Sequence, residues 1–220
     1  AALERQGDGT VLKDLGGKTL MPGFVDGHAH AQQFGTQAVG ANLLAPPDGT
    51  VNTIDDLVDR LKTFAGGPDV ALTGWIFGMG YDDALLGRHP TREDLDKVST
   101  TVPVMATHIS GHFAAVNTLG LKMIGFDAST ANPEGGVIRR EADGKTPNGV
   151  LEELAAMPYM VKFLTPTTQE GKDIFLKRGL DMAKSYGYTT ANEGRMFGAM
   201  HSDMENAAAR GLLDIDFNGW

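Results

Sequence analysis

From Asn42 to the end of the chain, short apolar runs alternate with longer runs of helical period, and this alternation limits the fold more than any other feature. Thr53 caps a stretch in which Ile54, Leu57, Val58, Leu61 and Phe64 fall on one face, stopped by Gly66-Gly67-Pro68. Trp75 to Met79 reads as a strand. Thr91 then caps a short acidic helix through Leu95 and Val98, and Val102 to His108 reads as the next strand. Phe113 to Ile124 has helical pattern and ends at Gly125. A loop rich in Gly, Pro and Asn runs to about Gly149 with a small strand at Val137 to Arg139, and Leu151 to Met157 reads as a helix interrupted by Pro158. Thr167 with Glu170 forms a capping-box pattern before a helix ending at Tyr186-Gly187, and Tyr188 to Asn192 is a β-branched strand. Ser202 with Glu205 is a second such pattern, with a stop at Arg210-Gly211, and Asp214 to Phe217 starts one more strand. Ahead of all this, Val11 to Leu15, a Gly16-Gly17 turn and Lys18 to Met21 read as a hairpin.

Strands alternating with helices imply a parallel sheet with helices packed around it. Periodicity alone leaves a doubly wound sheet and part of a barrel both open. A complete (β/α)8 barrel takes about 250 residues, and this chain has 220. Its 41% hydrophobic content is enough for a sizeable core, yet no run approaches the roughly 20 apolar residues of a membrane helix. A net charge of -9 without a basic stripe argues against nucleic acid. Small molecules are the expected partners, with no membrane contact, and a homo-oligomer stays open. The absence of cysteine removes disulfides, thiolate metal sites and cysteine nucleophiles, leaving His, Asp and Glu as strong metal ligands. No signal peptide is visible, so the expected compartment is the cytoplasm, or the periplasm if a signal precedes this chain.

The chemistry centres on Pro22-Gly23-Phe24-Val25-Asp26-Gly27-His28-Ala29-His30. Side chains at i and i+2 of a strand share a face. At the carboxyl end of a barrel strand, His28 and His30 would both point into the mouth, where barrel enzymes keep their active sites. Two neutral imidazoles with Asp26 beside them make half of a site for Zn²⁺ or a similar divalent ion. The competing reading is a chance His-x-His on an exposed loop.

An apolar strand entered through Pro-Gly and closed by Asp-Gly-His-Ala-His, just after Gly17-Lys18-Thr19-Leu20, resembles the first-strand signature of the amidohydrolase superfamily. Further blocks run in the same order: Gly74 to Asp82, His89 to Asp96, Thr107 to His112, Ala115 to Thr118, Pro133 to Gly136 and Asn148 to Glu153. Together they look like the branch that includes N-substituted formamide deformylase, and the resemblance covers essentially the whole chain from Val11. It implies a partial TIM (β/α)8-type barrel, its first half, in residues 23–220, with a remnant of a small β-sandwich domain in residues 1–22.

The same resemblance suggests roles. In this family the two histidines bind the more buried metal, so His28 and His30 become ligands, with Asp26 orienting one of them. The ion would be Zn²⁺ first, with Fe or Mn as alternatives, one or two per site. Glu153 matches the glutamate after Gly-Val-Leu and is the first candidate for a metal-bridging position. Glu193, at the end of the Tyr188 strand, is the second. For both, the plain alternative is a solvated helix cap. His112 would contact substrate or transfer a proton, against the alternative of a strand-end imidazole bonded to a carbonyl; the same choice applies to His108. Trp75 and Tyr81 could wall an apolar pocket, although aromatic strands are usually core. Asn117 reads as a residue that orders its helix and loop, His89 as a surface residue, His201 as a helix neighbour without a metal role, and Lys184 as helical. The methionines read as packing filler.

The implied activity is metal-assisted hydrolysis of a C–N bond other than a peptide bond, in an amide, formamide or cyclic amide. The family's site is normally completed by later histidines and an aspartate, so the chain reads as part of a complete enzyme and inactive alone. A non-catalytic half-barrel remnant, and an ester or phosphoester hydrolase, are the competing readings.

Overall fold

The computed structural model describes residues 4, 6–196 and 198–220. The chain runs β1 (Phe24–Val25), α1 (Ala31–Val39), β2 (Ala41–Asn42), α2 (Ile54–Ala65), α3 (Val70–Thr73), β3 (Ile76–Tyr81), α4 (Asp83–Leu86), α5 (Arg92–Asp96), β4 (Val104–His108), β5 (Phe113–Val116) and α6 (Thr118–Ile124). It continues with β6 (Gly136–Arg140), β7 (Pro147–Glu153), α7 (Met157–Leu164), α8 (Gln169–Ser185), β8 (Tyr188–Glu193), α9 (Gly198–Ala209) and β9 (Asp216–Gly219). The architecture is mixed α/β with two sheets.

The smaller sheet has the order β1-β8-β9 and is parallel throughout. The larger has the order β2-β3-β4-β5-β7-β6, parallel across β2, β3 and β4 and antiparallel from β4 onward. In sequence, the whole six-stranded unit lies between α1 and α8, so β1 and β8 pair across it. Among the described residues no helix is long and apolar enough to cross a membrane.

Burial on both faces explains the unbroken apolar runs of β3 and β4. Phe77 and Met105 enter one core with Trp75, Val116, Ile138 and Leu151. Their neighbours Ile76 and Val104 enter the opposite core with Leu43, Leu57, Leu61, Tyr81 and Leu95. Helix α1 lies directly on α8. A Cβ on Gly179 would sit 2.7 Å from the Gly35 nitrogen, and one on Gly35 would sit 2.5 Å from the Phe175 carbonyl oxygen. Only glycine permits backbones this close.

Several local expectations hold. Thr53 and Thr91 stand at the helix starts expected of them, each in a capping box whose second member, Asp56 or Asp94, the structure adds, and Gly125 closes α6 in the left-handed conformation. Others are corrected. The segment from Val11 to Met21 contains the turn, with the Lys18 N–H donating to the Leu15 carbonyl at 3.1 Å, but no strands. Val11 is 90% and Leu20 81% exposed, so neither flank has an apolar face to rest on, and an isolated hairpin is marginal in water.

Phe113 to Val116 is not helical. It is strand β5, antiparallel to β4, because its residues are buried between two strands, and the helix begins only after Asn117. Leu151 to Glu153 belongs to strand β7, and the helix that follows starts at Met157 with Pro158 in its first turn, where proline is tolerated. Thr168 rather than Thr167 caps α8, accepting from the Gly171 N–H at 3.1 Å. Ser202 and Glu205 fall inside α9, which begins at Gly198. The expected single parallel sheet is two sheets, one of them mostly antiparallel.

Asp94 ties α5 to the preceding loop and is only 4% exposed. It accepts from Arg88 Nη1 at 2.6 Å and Nη2 at 3.0 Å, and from the Thr91 N–H at 2.9 Å. Burial pushes its pKa up, but the Arg88 guanidinium and the Thr91 donors outweigh it and hold the carboxyl well below the usual range. A depressed folded-state pKa adds stability above the unfolded value, about 3.9, and that stability is lost as pH falls through the folded value. Asp94→Asn is therefore expected to lower the melting temperature at neutral pH and to flatten its fall below about pH 4. The loss is expected near 2 kcal/mol, under the ~3–5 typical of fully buried pairs, because the Arg88 side chain is 51% exposed and can rehydrate. Thermal melts from pH 7 to about pH 3 check this; parallel curves for both proteins would refute it.

Candidate metal centre

The loop after β1 is built around Asp26. One carboxylate oxygen accepts from the His28 N–H at 3.2 Å, and the other from the Asn192 N–H at 3.1 Å. The Asn192 side-chain amide returns a bond to the Asp26 carbonyl. Beside this, the Asp26 N–H donates to the Thr190 carbonyl at 3.0 Å and the Phe24 N–H to Gly187 at 2.9 Å. Gly23 allows the approach, since a Cβ there would lie 2.1 Å from Thr189 Cγ2. Two adjacent parallel strands are thus pinned side by side, with a shift of register between Phe24 and Val25.

That pinning brings His30 to Glu193, residues 163 positions apart in sequence. His30 Nδ1 lies 3.1 Å from Glu193 Oε1, and the two residues form a β-bridge. Glu193 is 1% exposed. The His28 ring meets the His30 ring edge-on at 5.5 Å and lies 5.4 Å from Trp220. Gly194 packs under it: a Cβ there would sit 2.6 Å from His28 Cε1. Two imidazoles and a buried carboxylate are the donor types a catalytic Zn²⁺ ion uses, so the chemistry of this set fits such a metal. His30 Nδ1 and Glu193 Oε1 stand close enough to share an ion, whereas His28, His30 and Glu193 do not together bring their ligand atoms within 4.8 Å of one another.

The remaining candidates lie in the six-stranded unit. His112 Nδ1 is 2.9 Å from Glu153 Oε2, and Glu153 is the one non-glycine residue with positive φ, 49°, among those described. Its N–H bonds to the His112 carbonyl at 2.8 Å, which fixes the pair. The structure therefore joins Glu153 to His112, and Glu193 to His30. His201 pairs with Glu205 on the surface of α9.

Trp75 is core, 2% exposed and stacked on Phe163 at 4.8 Å, so the expected pocket wall is a packing surface. Tyr81 is fully buried as well, and its hydroxyl lies 3.0 Å from His89 Nδ1. Burial first and Asp83 second push the Tyr81 hydroxyl pKa far up, so it stays protonated. His89 is not the surface residue expected from its His-Pro context; the aromatic packing of Tyr81 and Phe113 buries it to 9% exposure. His108 sits beside it. Its Nε2 lies 3.0 Å from Asp83 Oδ1, and its Nδ1 2.8 Å from Ser110 Oγ. Among the described residues, one group of three His, Asp or Glu side chains has all its ligand atoms within 4.8 Å of one another, and it is Asp82, Asp83 and His108. Asp82 and Asp83 were not singled out from sequence. The available signal was two adjacent carboxylates just past the carboxyl end of a strand.

The amidohydrolase family pattern ("Amidohydrolase family") matches residues 12–218. The chain belongs to the amidohydrolase family. It is 31% identical over 195 residues to Protein LONG AFTER FAR-RED 3 of Arabidopsis thaliana, covering 87% of this chain and 32% of that protein. It is 32% identical over 152 residues to N-substituted formamide deformylase of Arthrobacter pascens, covering 68% of this chain and 27% of the relative. The crystal structure of an uncharacterized metal-dependent hydrolase from Pyrococcus furiosus shares the fold, with a TM-score of 0.61 at 22% identity over 91% of this chain and 37% of that one. The chain thus spans about a third of the length of the curated relatives it matches. The amidohydrolase match crosses both sheets, so the six-stranded unit and the β1-β8-β9 sheet fall within one family pattern.

Proposed function

We propose that this chain supplies the opening part of a metal-dependent hydrolase acting on C–N bonds other than peptide bonds, in an amide, formamide or cyclic amide. The observation that carries the reading is the His30–Glu193 pair, held at the carboxyl ends of two adjacent parallel strands. In this reading β1, β8 and β9 are the first strands of a (β/α)8 barrel, α8 and α9 are its crossover helices, and the six-stranded unit is inserted after α1. Residues 1–22 are read as the edge of a small β domain, of which residues 1–3 and 5 lie outside those described.

His28, His30 and Glu193 would hold the metal, and Asp26 positions His28 through its backbone N–H. A divalent ion, Zn²⁺ first, supplies there a water acidic enough to attack near neutral pH, and a Lewis acid for the substrate carbonyl. The buried Glu193 carboxylate keeps the His30 ring oriented. The His112–Glu153 pair, exposed on its strand ends, is the candidate for substrate contact and proton transfer. The family membership and the name of the formamide deformylase relative support the C–N substrate class.

The test is made on the longest polypeptide that the gene encodes, prepared without chelator and compared with its His28→Ala/His30→Ala variant. Elemental analysis should show one molar equivalent of Zn, Fe or Mn fewer in the variant. Hydrolysis across a panel of formamides, cyclic amides, esters and phosphoesters should be strongest on the amide classes and absent in the variant. A preference for esters or phosphoesters would replace the substrate class, and metal content equal in both forms would remove the half-site itself.

A further inference from the structure

We propose that the six-stranded unit carries a second divalent-cation site, formed by Asp82, Asp83 and His108, with His89 beside it. This is independent of the reading of His28, His30 and Glu193, since none of those residues takes part.

The position comes from the local fold. Strand β3 ends at Tyr81, so Asp82 and Asp83 fall just past its carboxyl end, and β4 runs parallel to β3 and ends alongside at His108. The His89 ring stacks on Phe113 at 5.1 Å and is turned toward the same point. One imidazole and two carboxylates thus converge from two separate segments, with His89 at their edge.

The observation that points to a ligand is the state of the His108 imidazole. His108 Nε2 is buried and has no hydrogen-bond partner among the described residues, although Asp83 Oδ1 is 3.0 Å away, because the geometry is wrong for an N–H to point at that oxygen. The His89 side chain is 9% exposed, and its Nε2 lies 3.6 Å from Asp83 Oδ2, too far for a hydrogen bond. Direct pairing therefore leaves His108 Nε2 unsatisfied. A shared cation resolves this: two ligands each about 2.1 Å from one ion stand roughly 3.0 Å apart on an octahedral edge and 3.4 Å on a tetrahedral edge. The 3.0 Å separation of His108 Nε2 from Asp83 Oδ1 falls at the octahedral edge.

The outer contacts suit neutral imidazole ligands. A metal-bound imidazole donates its other N–H to a fixed acceptor. His108 Nδ1 faces Ser110 Oγ at 2.8 Å. Ser110 can serve either His108 tautomer, because its own N–H also lies 3.1 Å from Nδ1; a cation on Nε2 selects the form that donates to Oγ. Asp82 uses Oδ1 to cap α4, accepting from the Ala84 N–H at 2.9 Å. Borderline ions such as Zn²⁺ or Co²⁺ match an imidazole nitrogen with carboxylate oxygens better than Mg²⁺ or Ca²⁺.

The test uses the His28→Ala/His30→Ala chain, stripped of metal and titrated with Co²⁺. We expect one equivalent to bind, with visible d–d bands and paramagnetic shifts of the His89 and His108 ring protons. Asp83→Asn and His108→Gln, each made separately in that background, should weaken binding about 100-fold or more, and Zn²⁺ should displace the Co²⁺. The proposal is overturned if the titrated chain shows no shift at those two rings, a result that needs neither further variant to fold. Full binding retained by a folded Asp83→Asn or His108→Gln protein would overturn it as well. Failure here leaves the His30–Glu193 site untouched, because those residues are read by the parent metal analysis alone.

Discussion

Asn117→Ala is expected to lower the melting temperature by roughly 10 °C, the largest stability effect of any single side chain considered. Asn117 is completely buried and uses all its polar capacity. Its Oδ1 accepts from the Val104 N–H at 3.0 Å and the Gly120 N–H at 2.8 Å, while Nδ2 donates to the Ser99 carbonyl at 2.7 Å and the Val102 carbonyl at 3.1 Å. One amide therefore starts strand β4, caps helix α6 and ties down the loop before them. Truncation leaves four backbone groups to find partners in a closed space, at about 1–3 kcal/mol for each that fails. If even one or two fail, the loss is about 3 kcal/mol, and at 2–4 °C per kcal/mol for this size the shift is near 10 °C. Asn117→Asp should be no milder, because it turns a second carboxylate oxygen toward two carbonyls. Calorimetry of the three proteins decides the matter; an alanine variant melting within about 2 °C of wild type would mean that the neighbours or water replace the amide.

Gly194→Ala is expected to weaken metal binding at the His28–His30–Glu193 site by about 10–100-fold while leaving the melting temperature almost unchanged. The new methyl would meet His28 Cε1 at 2.6 Å and Nδ1 at 2.9 Å, and these atoms are the far end of an exposed side chain that can rotate away. Relief is thus cheap for the fold and damaging for the site, since the imidazole must leave the side of His30. Chelator competition, run with Asp83→Asn present so that only this site is read, measures the change. Unaltered affinity in a folded protein would show that His28 binds in another pose or not at all.

What could be read from sequence divides along a physical line. Thr53 with Asp56 and Thr91 with Asp94 announce helix starts because the signal is local, carried within four residues. The nearness of His28 to His30 was legible for the same reason, and the place of Glu193 because a strand end fixes where its side chain must go; their role as ligands belongs to the proposal. Phe113-Ala114-Ala115-Val116 failed because a short apolar run rich in alanine fits a helix as well as a strand buried on both faces, and only the partners β4 and β7 decide. The hairpin at Gly16-Gly17 failed in the opposite direction: its turn chemistry is correct, but strands need a surface to pair with or pack on. Pairings such as His112 with Glu153 or His108 with Asp83 depend on register between distant strands, and single-sequence spacing does not contain it.

The glycine contact between α1 and α8 bears on how the site comes into being. His30 precedes one of these helices and Glu193 follows the other, so their meeting closes a loop that contains the whole six-stranded unit. An unstructured loop of that length carries a closure entropy that grows with its logarithm. Once the intervening unit has collapsed, the effective loop shrinks to the gap between its two ends. Assembly of the site is thereby placed late and made conditional on the unit it encircles. By the same logic that unit is a cassette: its size and outer loops can vary without moving His30 relative to Glu193, as long as Gly35 and Gly179 keep the two helices in contact.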